Sequence, residues 1–201
     1  MRRRYWPAAA LVTYVLLAGV AAAENRFDHC LLCHGADANG NYGIRAPKLS
    51  GMEPWYLRRQ LENFAAGLRG SSAEDAAGHE MKPVGLRLQE ARELEAAVIF
   101  IGTLKSSKPV ATVRGDAARG RQLYQACAAC HGTRAEGNAQ LQAPALAARS
   151  DWYLVAQLQN FRKGLRGADP RDILGAQMAA VSATLPDDAA IAAVVAYINT
   201  L

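Results

Sequence analysis

Two short segments carry the chemistry of this 201-residue chain. Cys30-Leu31-Leu32-Cys33-His34 and Cys127-Ala128-Ala129-Cys130-His131 both read C-x-x-C-H. Two thiols one helical turn apart can form thioethers to the two vinyl groups of one porphyrin, and the next residue then brings an imidazole beneath the iron. This is the attachment signature of c-type haem, so two copies predict two haem c groups. Cys30, Cys33, Cys127 and Cys130 are assigned to covalent attachment, and His34 and His131 to the proximal position on each iron. A redox dithiol gives the adjacent His no role. Zinc ribbons set their two Cys pairs far closer together than Cys33 and Cys127.

The second axial ligand decides what such a site can do. Met81 and Met178 each lie 51 residues after the first Cys of their segment (81 − 30 and 178 − 127). A lone Met usually packs in a core, but a Met recurring at one offset is expected to be the distal ligand. His79 is the rival at the first iron; Ala176 stands at its equivalent position. Met52 faces Arg149 and His29 faces Ala126 in the same comparison, so neither is read as a ligand. His/Met ligation closes both axial positions and raises the reduction potential, which suits electron transfer and disfavours substrate binding at iron. A haem enzyme would need His79, or an open position, at the first iron, because all four cysteines are committed.

These residues belong to a tandem repeat. A shift of 97 carries Cys30 onto Cys127, Pro47 onto Pro144, Trp55-Tyr56-Leu57 onto Trp152-Tyr153-Leu154, and Asn63-Phe64 onto Asn160-Phe161. It also carries Gly67-Leu68-Arg69-Gly70 onto Gly164-Leu165-Arg166-Gly167 and Thr103-Leu104 onto Thr200-Leu201. A constant offset over this length marks a duplication. Lys105 to Pro109 is polar and opens a linker over 105–115, between a first domain at 24–104 and a second at 116–201. Each copy is small enough that a cofactor commonly completes its core.

The elements that must position the chemistry are helical. Leu57, Leu61, Phe64 and Leu68 step by 4, 3 and 4, and Leu154, Leu158, Phe161 and Leu165 repeat the pattern. Pro54 and Asp151 suit the first turns of these helices and Gly67 and Gly164 their ends. Leu94, Val98 and Ile101, then Ile191, Val195 and Ile198, predict a last helix in each copy, the second opened by Asp187 and Asp188. Asp116 is expected to N-cap a helix leading into Cys127. No useful strand alternation appears, so the fold class is all-α, two tandem domains each wrapped around one haem.

With those residues in place, the sequence resembles a di-haem class I cytochrome c of the cytochrome c4 type over almost all of its length after the first twenty-three residues. The resemblance rests on C-L-L-C-H-G and C-A-A-C-H-G, on W-Y-L-x-x-Q-L-x-N-F followed by G-L-R-G, and on M-K-P and G-A-Q-M. It implies two helical haem domains packed face to face and a periplasmic carrier relaying electrons from a quinol-oxidising complex or dehydrogenase to a terminal oxidase or reductase. It also implies that Pro47 and Pro144 lie beside the proximal His, a backbone carbonyl fixing the imidazole Nδ1–H. Arg69 and Arg166 become candidates for propionate or domain-interface contacts. Ala180 stands opposite Pro83, so the ligand loop of the second copy is expected to be less rigid than that of the first.

The remaining features set compartment and partners. Arg2-Arg3-Arg4, an uncharged run from Tyr5 to Ala23 and the closing Ala21-Ala22-Ala23 read as a cleavable secretory signal over 1–23. An uncleaved anchor facing the periplasm is the alternative. If Ala23 ends the signal, the first domain opens with a truncated helix. The formal charge of +5 rests on 23 basic and 18 acidic residues, and removing Arg2 to Arg4 leaves 20 against 18, or +2. No basic run remains to bind nucleic acid. The partners are redox proteins, met singly, by transient docking on a membrane complex, or as the other chain of a larger dehydrogenase.

Overall fold

The structure is a computed structural model that describes residues 26–201. The export signal expected at residues 1–23, and Glu24 and Asn25 of the expected truncated opening helix, lie outside them. Among the described residues every regular element is helical, and the only strand-like pairings are single bridges, Asn41 with Ala46 and Asn138 with Ala143, themselves one repeat apart. The first domain contains α1 (His29–His34), α2 (Pro54–Ala65), α3 (Ala76–Arg87) and α4 (Ala91–Thr103). The second contains α5 (Ala117–Leu123), α6 (Gln125–His131), α7 (Asp151–Arg162), α8 (Ile173–Ser182) and α9 (Asp188–Ile198).

The local rules explain most boundaries. Pro54 opens α2 with a preset φ, and Gly67 follows its end at φ +70°, the left-handed position that stops a helix. Asp116 opens α5 by accepting from the N–H groups of Ala118 and Arg119, 3.0 Å each. Asp187 does the same for α9 through Ala190 N at 2.6 Å. Leu57, Leu61 and Phe64 turn one face of α2 inward, where Leu57 and Leu61 meet Leu94, Val98 and Ile101 of α4 together with Phe27. In the second domain Leu154 of α7 packs with Ile191, Val194, Val195 and Ile198 of α9 and with Tyr124. Helix α5 crosses α9 at Gly120, where a Cβ would come within 2.0 Å of the Ala193 carbonyl.

The segments bearing Met81 and Met178 differ from the expected loops. Both are helical, and Pro83 lies inside α3 rather than stiffening a loop. Neither segment announces a helix: α3 contains two Gly and a Pro, and α8 is apolar on all sides. Their starts are held instead by buried caps. Asp75 accepts from Gly78 N at 3.1 Å and Asp172 from Gly175 N at 2.9 Å. Helix α3 then passes α2 at Gly85, where a Cβ would sit 2.7 Å from Ala65 N. In α3 this tertiary docking outweighs the low propensity of its Gly and Pro residues.

Candidate functional site

His34 and His131 end α1 and α6 and are 5% and 4% exposed. Each Nδ1 lies 2.7 Å from a backbone carbonyl, that of Pro47 in the first domain and Pro144 in the second. A carbonyl only accepts, so Nδ1 carries the proton and the Nε2 lone pair is left for a metal. Burial pulls both imidazoles below the usual His range, with the carbonyl bond opposing, and the rings stay neutral. In each segment the first Cys is half-buried and the second exposed. Burial raises the Cys30 thiol and pushes Cys127 up to about 11, so neither has the activated thiolate of a redox dithiol.

Each C-x-x-C-H faces a cleft that contains its domain's Met. The first, about 500 Å³, brings together Cys30, Cys33, His34 and Met81 with Leu57, Leu61 and Phe64 as apolar walls. The second is narrower, about 160 Å³, and gathers Cys127, Cys130, His131 and Met178 with Leu154 and Phe161. Met81 and Met178 are both half-buried. His79 is exposed, lies outside the cleft wall, and has its Nδ1 3.1 Å from the Gly70 carbonyl. Met52 and His29 do line the first cleft; in the second, Ala126 stands at the His29 position and Arg149, at the Met52 position, is not on the wall.

The repeated G-L-R-G turn places the Met helices. Gly70 and Gly167 have φ of +74° and +77°, and a Cβ on either would come 2.2 Å from the carbonyl of Gly78 or Gly175. These glycines let the turn after α2 or α7 press on the first turn of the helix that carries Met81 or Met178.

The two clefts share a wall. Tyr56 and Gln60 of α2 and Tyr153 and Gln157 of α7 line both. Between them lie two buried guanidiniums. Arg69 donates to Gln60 Oε1 at 2.9 Å, and across the interface to Tyr153 at 2.7 Å and Gln157 Oε1 at 3.1 Å. Arg166 reciprocates, to Gln157 Oε1 at 2.8 Å, Gln60 Oε1 at 2.7 Å and the Tyr56 hydroxyl at 3.3 Å. Each guanidinium also stacks over a Phe, Arg69 on Phe64 and Arg166 on Phe161. Burial raises the Tyr56 phenol, but the positive charges of Arg166 and Arg69 outweigh it and hold the group below its ordinary value.

Arg69 and Arg166 thus make the domain-interface contacts expected of them. Gln60 and Gln157 carry a role the sequence reading missed; the available signal was a repeated Gln on the buried face of an amphipathic helix.

The cytochrome c family profile matches residues 20–105 and 117–201, most of the chain. The chain belongs to the cytochrome c family. It is 29% identical over 197 residues to a thiosulfate dehydrogenase electron acceptor of Stutzerimonas stutzeri, covering 87% of each chain. Its fold is similar to reduced cytochrome c4 from Pseudomonas stutzeri, with a TM-score of 0.68, 28% identity, and coverage of 90% of this chain and 97% of that one. It is also similar to part of a thiosulfate dehydrogenase from Marichromatium purpuratum, at TM-score 0.68 and 34% identity, covering 85% of this chain and 36% of that one.

The protein is a di-haem, c4-like electron carrier rather than an enzyme, with two covalently bound haem c groups. The clefts fit that group: thiols and a neutral imidazole stand on one wall and the other walls are apolar. The shared wall holds two guanidiniums with no protein carboxylate in salt-bridge range among the described residues, and Arg69 Nε has no partner at all. Unpaired buried cations of this kind suit the carboxylates of haem propionates.

Proposed function

We propose that His34 with Met81, and His131 with Met178, are the axial pairs of two haems. On this reading the protein relays electrons from a dehydrogenase of the thiosulfate dehydrogenase class toward a terminal oxidase or reductase. One observation carries the proposal: each cleft contains a Met together with a neutral, Nδ1-anchored His, and the two clefts meet at one wall. When bound, haem c supplies a one-electron ferric/ferrous couple. The chain does the rest. Pro47 and Pro144 fix the imidazole rings, Met81 and Met178 would hold the iron together with His34 and His131 and so leave no place for substrate, and the apolar walls exclude water. The Tyr56–Gln60–Tyr153–Gln157 wall keeps the two sites adjacent, so a donor docked at one domain can be emptied by an acceptor docked at the other. The names of the S. stutzeri and M. purpuratum proteins support the donor class.

No helix among the described residues is long and apolar enough to cross a membrane. We place the mature protein in the periplasm, released by cleavage after Ala23, with domains at 24–104 and 116–201 joined by 105–115. N-terminal sequencing of protein from its native source checks the cleavage.

The ligand assignment is tested by the weak red charge-transfer band of Met-bound ferric haem. Met178→Ala and Met81→Ala should each remove about half of it. A wild type with only one Met-ligated haem contradicts the carrier mechanism. The donor class is tested by rapid mixing with a reduced thiosulfate dehydrogenase, and slow reduction of both haems rejects it. The M. purpuratum match favours a second reading, in which the protein stays bound to its dehydrogenase; co-purification of a second chain from native membranes or periplasm would distinguish it.

A further inference from the structure

The 97-residue shift also shows where the two sites differ. The Arg69 and Arg166 contacts obey it. A second pair of interdomain contacts occupies equivalent positions with unequal chemistry.

In each domain the proximal His donates to a Pro carbonyl, and the same peptide unit presents the N–H of the following residue on its other side. In both domains that N–H donates across the interface. Ala145 N reaches Glu53 Oε1 at 2.7 Å, whereas Lys48 N reaches Ser150 Oγ at 3.3 Å. Ser150 stands where the shift puts Glu53, and Lys48 where it puts Ala145. His131 is therefore joined through one amide to a carboxylate of the first domain. His34 is joined through its amide to a neutral hydroxyl, by a longer bond.

Lys48 adds to the difference. It is 2% exposed, and its ammonium donates to the carbonyls of Ser107 and, at 3.4 Å, Ala148 rather than to an acid. Arg149 lies 3.9 Å from Glu53 Oε2 and tempers the carboxylate, but its close hydrogen bond goes to the Gly51 carbonyl at 2.7 Å, and Glu53 Oε2 has no hydrogen-bond partner.

Hydrogen bonds in series polarise one another, and a charged acceptor does so most strongly. The carboxylate makes the Pro144 carbonyl a better acceptor. The His131 imidazole becomes more electron-rich, and an electron-rich axial ligand favours the ferric state.

We propose that Glu53 is a positioning residue that lowers the reduction potential of the second domain's haem from across the interface. That shift by itself biases a single electron toward the first domain, beside Lys48 and Ser150. The inference depends on His131 being an axial ligand, and the two can fail separately.

The test is a redox titration of the di-haem protein, with each haem assigned by its paramagnetically shifted methyl resonances. Glu53→Gln keeps the oxygen that accepts from Ala145 N and removes the charge. The second haem's potential should rise while the first stays fixed, changing the one-electron partition on the order of tenfold, or about 59 mV. Ser150→Asp is the reciprocal variant and should lower the first haem's potential alone, so a Glu53 variant that fails to fold leaves a test standing. Equal movement of both potentials, movement of the wrong haem, or no movement overturns the proposal. The red charge-transfer band is read alongside. Unmoved potentials with the band intact reject the role of Glu53, whereas a wild type lacking the band in its second domain rejects the axial assignment itself.

Discussion

Replacing Asp151 with Asn should weaken the second domain and spare the first. Asp151 is 1% exposed at the first position of α7 and accepts five hydrogen bonds. Its Oδ2 takes the N–H groups of Thr112 and Val113, at 2.5 and 2.7 Å, and Asn199 Nδ2 at 3.0 Å. Its Oδ1 takes the Thr112 hydroxyl at 2.8 Å and Trp152 N at 2.7 Å. One carboxylate thus ties the chain entering the second domain, the helix α7 and the residue after α9. The amide of Asn offers one acceptor where the carboxylate has two. With its oxygen toward Thr112 N and Val113 N, its NH₂ group meets the Trp152 N–H, donor against donor.

Losing that bond and the charge assistance of the others should cost about 2–5 kcal/mol. Pro54 holds the equivalent position in the first domain, which therefore serves as an internal control. Urea titration of the holoprotein, followed by domain-resolved haem methyl resonances, measures both domains at once. A loss below about 1 kcal/mol, or an equal loss in the two domains, would refute the reasoning.

The same carboxylate sets a pH response. Desolvation raises its pKa, but the hydrogen bonds from Val113, Thr112 and Asn199 outweigh it and hold the folded value below the usual Asp range. Its stabilisation is complete above that usual value and is lost as pH falls through the folded one. The second domain of wild type should lose stability in that acid window, and D151N should not show the step.

Three further outcomes are expected. Gly167→Ala, at φ +77° and 2.2 Å from the Gly175 carbonyl, should displace α8 and weaken Met178 ligation, read as loss of about half the red band with Met81's share intact. Arg69→Met and Arg166→Met should be non-additive by about 1–3 kcal/mol in a double-mutant cycle, because each single variant leaves Gln60 Oε1 and Gln157 Oε1 one donor and the double variant strands both. Met52→Leu should leave the red band unchanged, although Met52 lines the first cleft.

The parts readable in advance were those whose chemistry is local. Two thiols and an imidazole within five residues need no tertiary information to declare a haem, and a repeat is visible in one dimension. The faces of α2 and α7 follow from spacing, and the starts of α5 and α9 from their Asp caps. The helix carrying Met81 escaped because two Gly and a Pro argue against it, and the helix carrying Met178 because it shows no amphipathic period; Asp75 and Asp172 cap them, and Gly70 and Gly167 let a neighbouring turn lean on them. Gln60 and Gln157 escaped because a polar residue on an amphipathic helix is assigned to solvent until a second domain covers it.

Residue order alone was enough to establish a di-haem, helical, duplicated electron carrier, since attachment, periodicity and repetition all operate between near neighbours in the chain. How the two copies face each other was decided only in three dimensions. Arg69 meets Gln157, and Glu53 meets the amide that holds His131, across separations of 88 and 92 residues. Two halves built on one repeat became electrostatically unequal there, because a charge acts through distance in space and not through position in sequence.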